Sequence, residues 1–120
     1  MVSEPFNPAV VAALNELTDD GSFFDEMLAL FLEDLGPSLA TMAAACERRD
    51  APALLRSAHR VKSSAANVGA VRLLAACVAL EAAAREGRIA AAVTEFATLR
   101  RAADEVSAWA RRRSLAATGT

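Results

Sequence analysis

The sequence is poor in the residues that build sheets, disulfide frameworks and metal clusters. Its 120 residues include no tyrosine, one tryptophan, five phenylalanines, two cysteines and a single histidine. Strands are enriched in aromatic and β-branched residues, and no segment here alternates apolar and polar residues with a period of two. We therefore predict no strands. Cys46 and Cys77 match no metal or redox spacing and lie in apolar helical patterns, which indicates buried free thiols.

Basic and acidic residues are also nearly balanced in number, so neither charge is in large excess. The formal net charge is −2, from 13 basic and 15 acidic residues, so the composition does not favour a nucleic-acid partner. The one basic cluster, Arg111 to Arg113, is interpreted as solvated cations near the C-terminal end of a helix. The N-terminus does not resemble a signal peptide, and we predict that no apolar stretch is long enough to span a membrane. We predict a soluble, cytoplasmic protein without a membrane partner.

Alanine and leucine dominate instead, and apolar residues recur every three or four positions, which is typical of amphipathic helices. The pattern predicts five helices, at about 8–18, 22–49, 50–69, 70–86 and 89–113. The predicted core-facing stripes include Phe24, Leu28, Phe31 and Leu35 on the second helix, Leu73, Cys77, Leu80 and Ala84 on the fourth, and a repeat from Ile89 to Ala110 on the fifth. Asn7 with Pro8, Ser22 with Asp25, and Asp50 are the predicted N-terminal caps. The second helix is predicted to be either kinked or split in two, because Gly36 and Pro37 interrupt it.

Short connections between these helices make neighbours antiparallel. The predicted fold is therefore all-α, an antiparallel up-down four-helix bundle with a short extra N-terminal helix. We expect a single, monomeric domain over residues 1–120, with a helical core at about 8–113 and a frayed tail from Ala116.

The third predicted helix carries the lone histidine. Five apolar residues mark its core-facing stripe: Leu54, Ala58, Val61, Ala65 and Val68. His59 is one residue off that stripe, hence about 100° around the helix, and is predicted to be exposed. Lys62 at i+3 and Arg56 at i−3 share its polar side, and Gly69 ends the helix.

The segment from His59 to Gly69 resembles the signature of histidine-containing phosphotransfer (HPt) domains, His-x-x-Lys-Gly with a second glycine six residues on. His59, Lys62 and Gly69 fall on the pattern, and Ser64, Ala66 and Asn67 fall on common accompanying positions. Ser63 differs, because the family usually has glycine there. The helical plan extends the resemblance over roughly residues 8–113. The resemblance implies a carrier that takes a phosphoryl group from one response-regulator aspartate and passes it to another.

An exposed imidazole with a pKa near 6.5 is largely uncharged at neutral pH and can attack phosphorus. Lys62 is predicted to neutralise phosphoryl oxygens, with Arg56 helping from the other side. The hydroxyl of Ser63 could hydrogen-bond the imidazole or phosphate, or the carbonyl of His59 in its own helix. Ser64 and Asn67 are interpreted as tying the end of the helix to a neighbour, or as solvated residues.

The implied partners are response-regulator receiver domains and a hybrid histidine kinase. Leu55 and Ala66 are predicted to contact the receiver, together with side chains of the 22–35 helix. Phe23, Met27 and Leu30 form a second apolar row there, which belongs either to this surface or to the core. We expect no cofactor and no metal on this chain, since receiver domains bring their own Mg²⁺.

Three other functions fit the sequence less well. The chain has no Gly-rich phosphate loop, so we expect a phosphocarrier and not an ATP-dependent kinase. A helical adaptor that binds a kinase or receiver without carrying phosphate is the main alternative, favoured by Ser63 in place of glycine. A haem or metal bundle would need several inward-facing ligands, which one histidine and two separated cysteines do not supply.

Overall fold

The computed structural model describes residues 5–118, with only the backbone described at 115–118. Five helices follow one another along the chain: α1 (Pro8–Asn15), α2 (Phe23–Arg48), α3 (Ala51–Val68), α4 (Val71–Arg85) and α5 (Ile89–Thr118). Helices α2 to α5 form the four-helix bundle, in which each packs against the next and α5 closes on α2, while α1 packs on α2. The predicted all-α bundle with a short N-terminal helix is confirmed.

The predicted core stripes are buried. All five stripe residues of α3 are less than 4% exposed. The stripes at the start of α2 and on α4 are buried with them (Phe24, Leu28, Phe31, Leu35, Leu73, Cys77, Leu80 and Ala84). Because these stripes hold α3 between α2 and α4, the side of α3 that carries His59 is turned away from the core and toward the α4 flank.

Helix α2 is one continuous helix through Pro37, which settles the choice between one helix and two abutting ones. Its predicted capping box is wrong. Ser22 occupies the N-cap position, but its hydroxyl donates to Asp20 Oδ1 at 2.7 Å and makes no cap to α2. The side-chain oxygen of Asn15, at the end of α1, instead accepts from the Phe24 backbone N–H at 3.2 Å.

Among the described helices, α2 is the one that is long and apolar enough to cross a membrane by length and composition. The sequence-based exclusion of any such stretch was therefore too strong. Six α2 residues are buried in the shared core (Phe24, Leu28, Phe31, Leu35, Met42 and Ala45), so one face of this helix forms part of the bundle core.

Helix α5 continues to Thr118, five residues beyond the predicted end, so the predicted fraying is wrong for 116–118; Gly119 and Thr120 lie outside the described residues. Arg113 is therefore not at a helix terminus. Its guanidinium donates to Asp25 of α2 at 2.7 Å and lies over the Trp109 ring, 5.3 Å from the centroid. The contact fastens the end of α5 to the start of α2.

Gly69 ends α3 in the left-handed conformation, as predicted, with φ of +76°. A second reason for glycine comes from tertiary contact: a Cβ at this position would lie 2.8 Å from Cβ of Val10 in α1. The Gly69 carbonyl also accepts from the Asn7 backbone N–H at 2.8 Å. Gly69 therefore ends the helix that carries His59, and its lack of a side chain also allows α1 to pack closely against it.

Gly69→Ala is expected to lower the free energy of unfolding by about 2–3 kcal/mol. Two costs add together: alanine is strained at this positive φ, and its Cβ would collide with the Cβ of Val10. Gly87→Ala is the matched control. Gly87 has φ of +73° but no atom within 4 Å of an added Cβ, so only the conformational cost of about 1 kcal/mol applies. Urea denaturation of both variants measures the difference, and equal losses would contradict the role of Val10.

Candidate functional site

His59 lies on α3 with its side chain 63% exposed, as the helical wheel predicts. One edge of the imidazole faces the neighbouring helix α4. There Nδ1 is 3.3 Å from Oε1 of Glu81, which lies 22 residues further along the chain. Since the two ring nitrogens lie on different edges of the imidazole, this contact leaves Nε2 directed away from the carboxylate. The Nε2 edge of this largely exposed ring is thus free of the contact with Glu81.

Glu81 was missed by the sequence analysis, and it organises the site. Its side chain is only 5% exposed, and it is the one charged residue among the described residues that is buried. Lys62 Nζ lies 2.7 Å from its Oε2, and Arg85, one turn later on α4, lies 2.9 Å from its Oε1. One carboxylate therefore contacts the histidine and two cations, and these four residues (His59, Lys62, Glu81 and Arg85) are here called the Glu81 cluster.

The contacts hold Glu81 in its ionised form. The pKa of the carboxyl is lowered, chiefly by the hydrogen bond from Lys62; burial opposes the shift, and hydrogen bonds from His59 and Arg85 add to it. An ionised carboxylate can only accept, so neutral His59 must carry its proton on Nδ1. The lone pair is then on Nε2, the ring nitrogen that does not face the carboxylate, where it can act as a nucleophile.

Cys77 lies buried beneath this cluster, and Cys46 is partly buried; both are free thiols, as predicted. Burial is the main cause that raises the pKa of the Cys77 thiol to about 12; the negative charge of Glu81 contributes to the rise, and the positive charge of Lys62 opposes it. Burial also raises the pKa of Cys46. Both groups are therefore protonated and unreactive near neutral pH.

The remaining residues on the outer side of α3 are placed separately from the Glu81 cluster. The Ser63 hydroxyl donates to the backbone carbonyl of His59 at 3.2 Å, one of the two arrangements open from the sequence. Arg56 is exposed, and among the described residues it has no ion pair or hydrogen bond to the cluster. Ala66 is exposed, whereas Leu55 is partly buried and packs against the core.

Ser64 and Asn67 are on the opposite flank of α3, toward α2. Neither makes a side-chain hydrogen bond within the described part of the chain. Both instead line a shallow depression between α2 and α3 (Met27, Leu30, Phe31, Asp34, Ser64, Asn67 and Val68), here called the α2–α3 depression. In the apolar row that the sequence left open, Leu30 is 61% exposed, while Phe23 and Met27 are partly buried.

Within residues 5–118 no group of three or more histidine, cysteine, aspartate or glutamate side chains is arranged to hold a metal ion. The polar atoms of the site consist of one imidazole, one carboxylate and two cations. That set can hold a neutral imidazole in a fixed orientation and can stabilise negative charge that arrives at its outer nitrogen.

Comparisons with known proteins agree with this geometry. The crystal structure of histidine-containing phosphotransfer protein B from Pseudomonas aeruginosa PAO1 superposes with a TM-score of 0.83 at 28% identity, covering 93% of this chain and 96% of that one. A putative histidine-containing phosphotransfer protein from rice matches with a TM-score of 0.75 at 18% identity, over 89% of this chain and 80% of that one, which supports the fold.

No curated protein matches the sequence. The family model described as Hpt domain matches residues 26–109, a range that contains α3, α4 and every residue of the Glu81 cluster. Hpt proteins are soluble phosphocarriers that interact with receiver domains and histidine kinases and in general have no kinase activity of their own. The chain therefore belongs to the Hpt domain family and has a phosphotransfer role in phosphorelays.

Proposed function

We propose that this protein is a cytoplasmic, monomeric phosphorelay intermediate in which His59 accepts a phosphoryl group from a receiver-domain aspartate and passes it to the aspartate of another receiver. The observation that carries the proposal is the contact of His59 Nδ1 with the buried carboxylate of Glu81, 3.3 Å away. It fixes the tautomer that a nucleophilic Nε2 requires, and it does so on a side chain that remains 63% exposed.

The residues around His59 support transfer in both directions. Phosphoryl transfer depends mainly on positioning and on charge stabilisation, and Lys62 contributes positive charge within one helical turn of the ring. Arg56 contributes a more distant positive charge from the other side. When Nε2 is phosphorylated, Nδ1 keeps its proton, so the ring becomes cationic beside the carboxylate. Glu81 then stabilises the phosphorylated ring without forming a covalent bond.

We propose that the receiver docks over the outer side of α3, with the α2–α3 depression as its apolar part. Exposed Leu30 is the largest apolar side chain available there, and Ala66 and the exposed part of Leu55 extend the surface past His59. Asp34 and Asn67 provide polar groups at the rim. The Mg²⁺ of the reaction belongs in this proposal to the receiver's own aspartate site.

The direct test is to mix the protein with a phosphorylated receiver domain from a hybrid kinase and to look for an acid-labile, alkali-stable phosphoryl adduct. Peptide mapping by mass spectrometry under alkaline conditions then locates the phosphoryl group. An adduct on the α3 peptide supports the proposal. Binding to a panel of receivers without any adduct would instead favour a helical adaptor that does not carry phosphate.

Ser63 provides a separate prediction, because its hydroxyl is bonded to the His59 carbonyl and not to the ring. Ser63→Gly is expected to lower the free energy of unfolding by about 0.5–1 kcal/mol through the lower helix propensity of glycine. The transfer rate from the receiver should be unchanged or higher, since all partners of the imidazole remain. Ser63→Ala is the control that removes the hydroxyl alone, and slower transfer in both variants would show that the hydroxyl assists transfer.

A further inference from the structure

The two cations of the Glu81 cluster are bound to different oxygens of the carboxylate. Lys62 Nζ is 2.7 Å from Oε2, an atom that is inaccessible to solvent and has no other partner among the described residues. Arg85 donates to Oε1 at 2.9 Å, and this oxygen also faces Nδ1 of His59 at 3.3 Å. The buried oxygen Oε2 thus has one partner, Lys62, whereas Oε1 has two, Arg85 and His59.

This arrangement makes the two cations unequal. If Lys62 left, Oε2 would be buried without a partner, which is costly for a charged oxygen. If Arg85 left, Oε1 would still accept from the Nδ1–H of His59. The Lys62 side chain is also the less exposed of the two, at 29% compared with 63% for the Arg85 side chain. Lys62 is therefore fixed by the carboxylate, whereas Arg85 can move away at little cost.

We propose that Arg85 is the cation that leaves Glu81 when His59 is phosphorylated and binds the phosphoryl oxygens directly, while Lys62 stays on the carboxylate. The proposal rests on the proposed function, in which Nε2 of His59 is the phosphoryl acceptor. A guanidinium presents a planar fork of donors that matches two phosphoryl oxygens, and its long side chain can turn about its Cα from one edge of the ring toward the other.

The transfer step shows where the charge goes. The lone pair of Nε2 forms the new N–P bond while the P–O bond to the receiver aspartate breaks and leaves its electron pair on the carboxylate oxygen. Nδ1 keeps its proton and its contact with Glu81. The site gains a phosphoryl group of charge close to −2, which is stronger than the single charge of Glu81 and attracts the mobile guanidinium. Return of the group to a receiver releases Arg85 to Glu81.

Other arginines near the site are less suited to this exchange. Arg88, in the connection between α4 and α5, is paired with Glu86 at 2.6 Å, and Arg56 on α3 has no ion pair or hydrogen bond with the cluster among the described residues. Arg85 is the arginine, within the described residues, that shares a carboxylate oxygen with the reactive histidine. Its position at i+4 from Glu81 on the same helix also keeps it in place while the site is empty.

The kinetic test uses Arg85→Gln, Arg85→Lys and a matched control, Arg100→Gln, which removes an exposed arginine from α5. Rapid-quench mixing with a phosphorylated receiver measures the rate of transfer to His59. We expect about a tenfold loss in Arg85→Gln, the effect of one lost hydrogen bond to a charged group, partial recovery in Arg85→Lys and no change in Arg100→Gln. Receiver affinity, measured by titration, should be unchanged. An unchanged rate in Arg85→Gln, or an equal loss of rate and affinity, would overturn the proposal.

A spectroscopic readout tests the movement itself. The protein is phosphorylated with phosphoramidate, a small donor that needs no receiver, and followed by ³¹P and arginine side-chain NMR. We expect the Arg85 Nε–H signal to shift on phosphorylation, and the phosphoryl pKa to rise in Arg85→Gln compared with the wild type. A static Arg85 signal with His59 phosphorylated would refute the exchange alone. Wild-type protein without phosphohistidine from either donor would instead refute the proposed function.

Discussion

His59→Gln is expected to reduce phosphoryl acceptance from a phosphorylated receiver to background. Glutamine has a similar length and can donate to Glu81, but its amide nitrogen has no available lone pair with which to form an N–P bond. Because the histidine side chain is 63% exposed, the free energy of unfolding should change by less than about 0.5 kcal/mol. The measurement combines radiolabelled phosphoryl transfer with a thermal melt and a receiver-binding titration.

The composition makes this variant decisive. The chain has one histidine, so an acid-labile, alkali-stable adduct can otherwise arise only at a lysine, and Lys62 is next to the ring. Lys62→Gln in the same assay separates the two, since it leaves the imidazole in place. If a folded His59→Gln protein still became labelled, His59 would not be the phosphoryl acceptor. If the variant lost both the label and receiver binding, the result would show that His59 is needed for docking of the receiver and would not identify it as the acceptor.

The histidine could be found from sequence because the relevant information is local. Helical periodicity over one segment placed His59 one residue off the buried stripe, and Gly69 lies at the predicted helix end with a left-handed φ. The same local pattern placed Lys62 one turn beyond His59, and in the structure both side chains contact Glu81. What it could not provide was the charge environment, because that depends on which residues of α4 face α3.

Glu81 is the residue that local periodicity missed. It follows Leu80 of the predicted α4 stripe directly, so the wheel placed it at the margin of the core, and its partners lie on another helix. A signal was nevertheless present. Between Val71 and Ala84 the only charged residues are Arg72 and Glu81, and an isolated acid in an apolar helix needs a cation or a donor. The arginine four residues later was the nearest candidate.

The errors in the fold have a similar origin. Ser22 with Asp25 has the spacing of a capping box, but Asn15 from the preceding helix provides the cap to α2, and Asp20 binds the serine. The end of α5 was placed at about Arg113 because the apolar repeat ends just before it, at Ala110. In the structure that arginine is instead fastened to Asp25 and packs on Trp109, and the helix continues past it. Tertiary contacts override local signals at both places.

Lys62→Met is expected to destabilise the protein by about 2 kcal/mol at pH 7, with a fall in Tm on the order of 10 °C. The variant keeps the aliphatic packing of the lysine stem but leaves Oε2 of Glu81 buried and unpaired. The loss is smaller than for a deeply buried pair because Arg85 and His59 still contact Oε1. The double variant Lys62→Met, Glu81→Gln is the control: with no charge left to compensate, it should recover most of the loss.

The dependence on pH distinguishes this charge effect from a packing defect. In the wild type the pKa of Glu81 is lowered from 4.5, chiefly by Lys62, so its stabilising contribution is complete above that value and is lost as the pH falls through the folded pKa. Without Lys62 the largest cause that lowers the pKa is gone, while burial still opposes the hydrogen bonds from His59 and Arg85, so the folded pKa of Glu81 is higher in the variant than in the wild type. The difference between wild type and Lys62→Met should therefore shrink between pH 7 and pH 4. Urea denaturation at several pH values checks this, and a constant difference would mean that lost packing, not an unpaired carboxylate, weakens the variant.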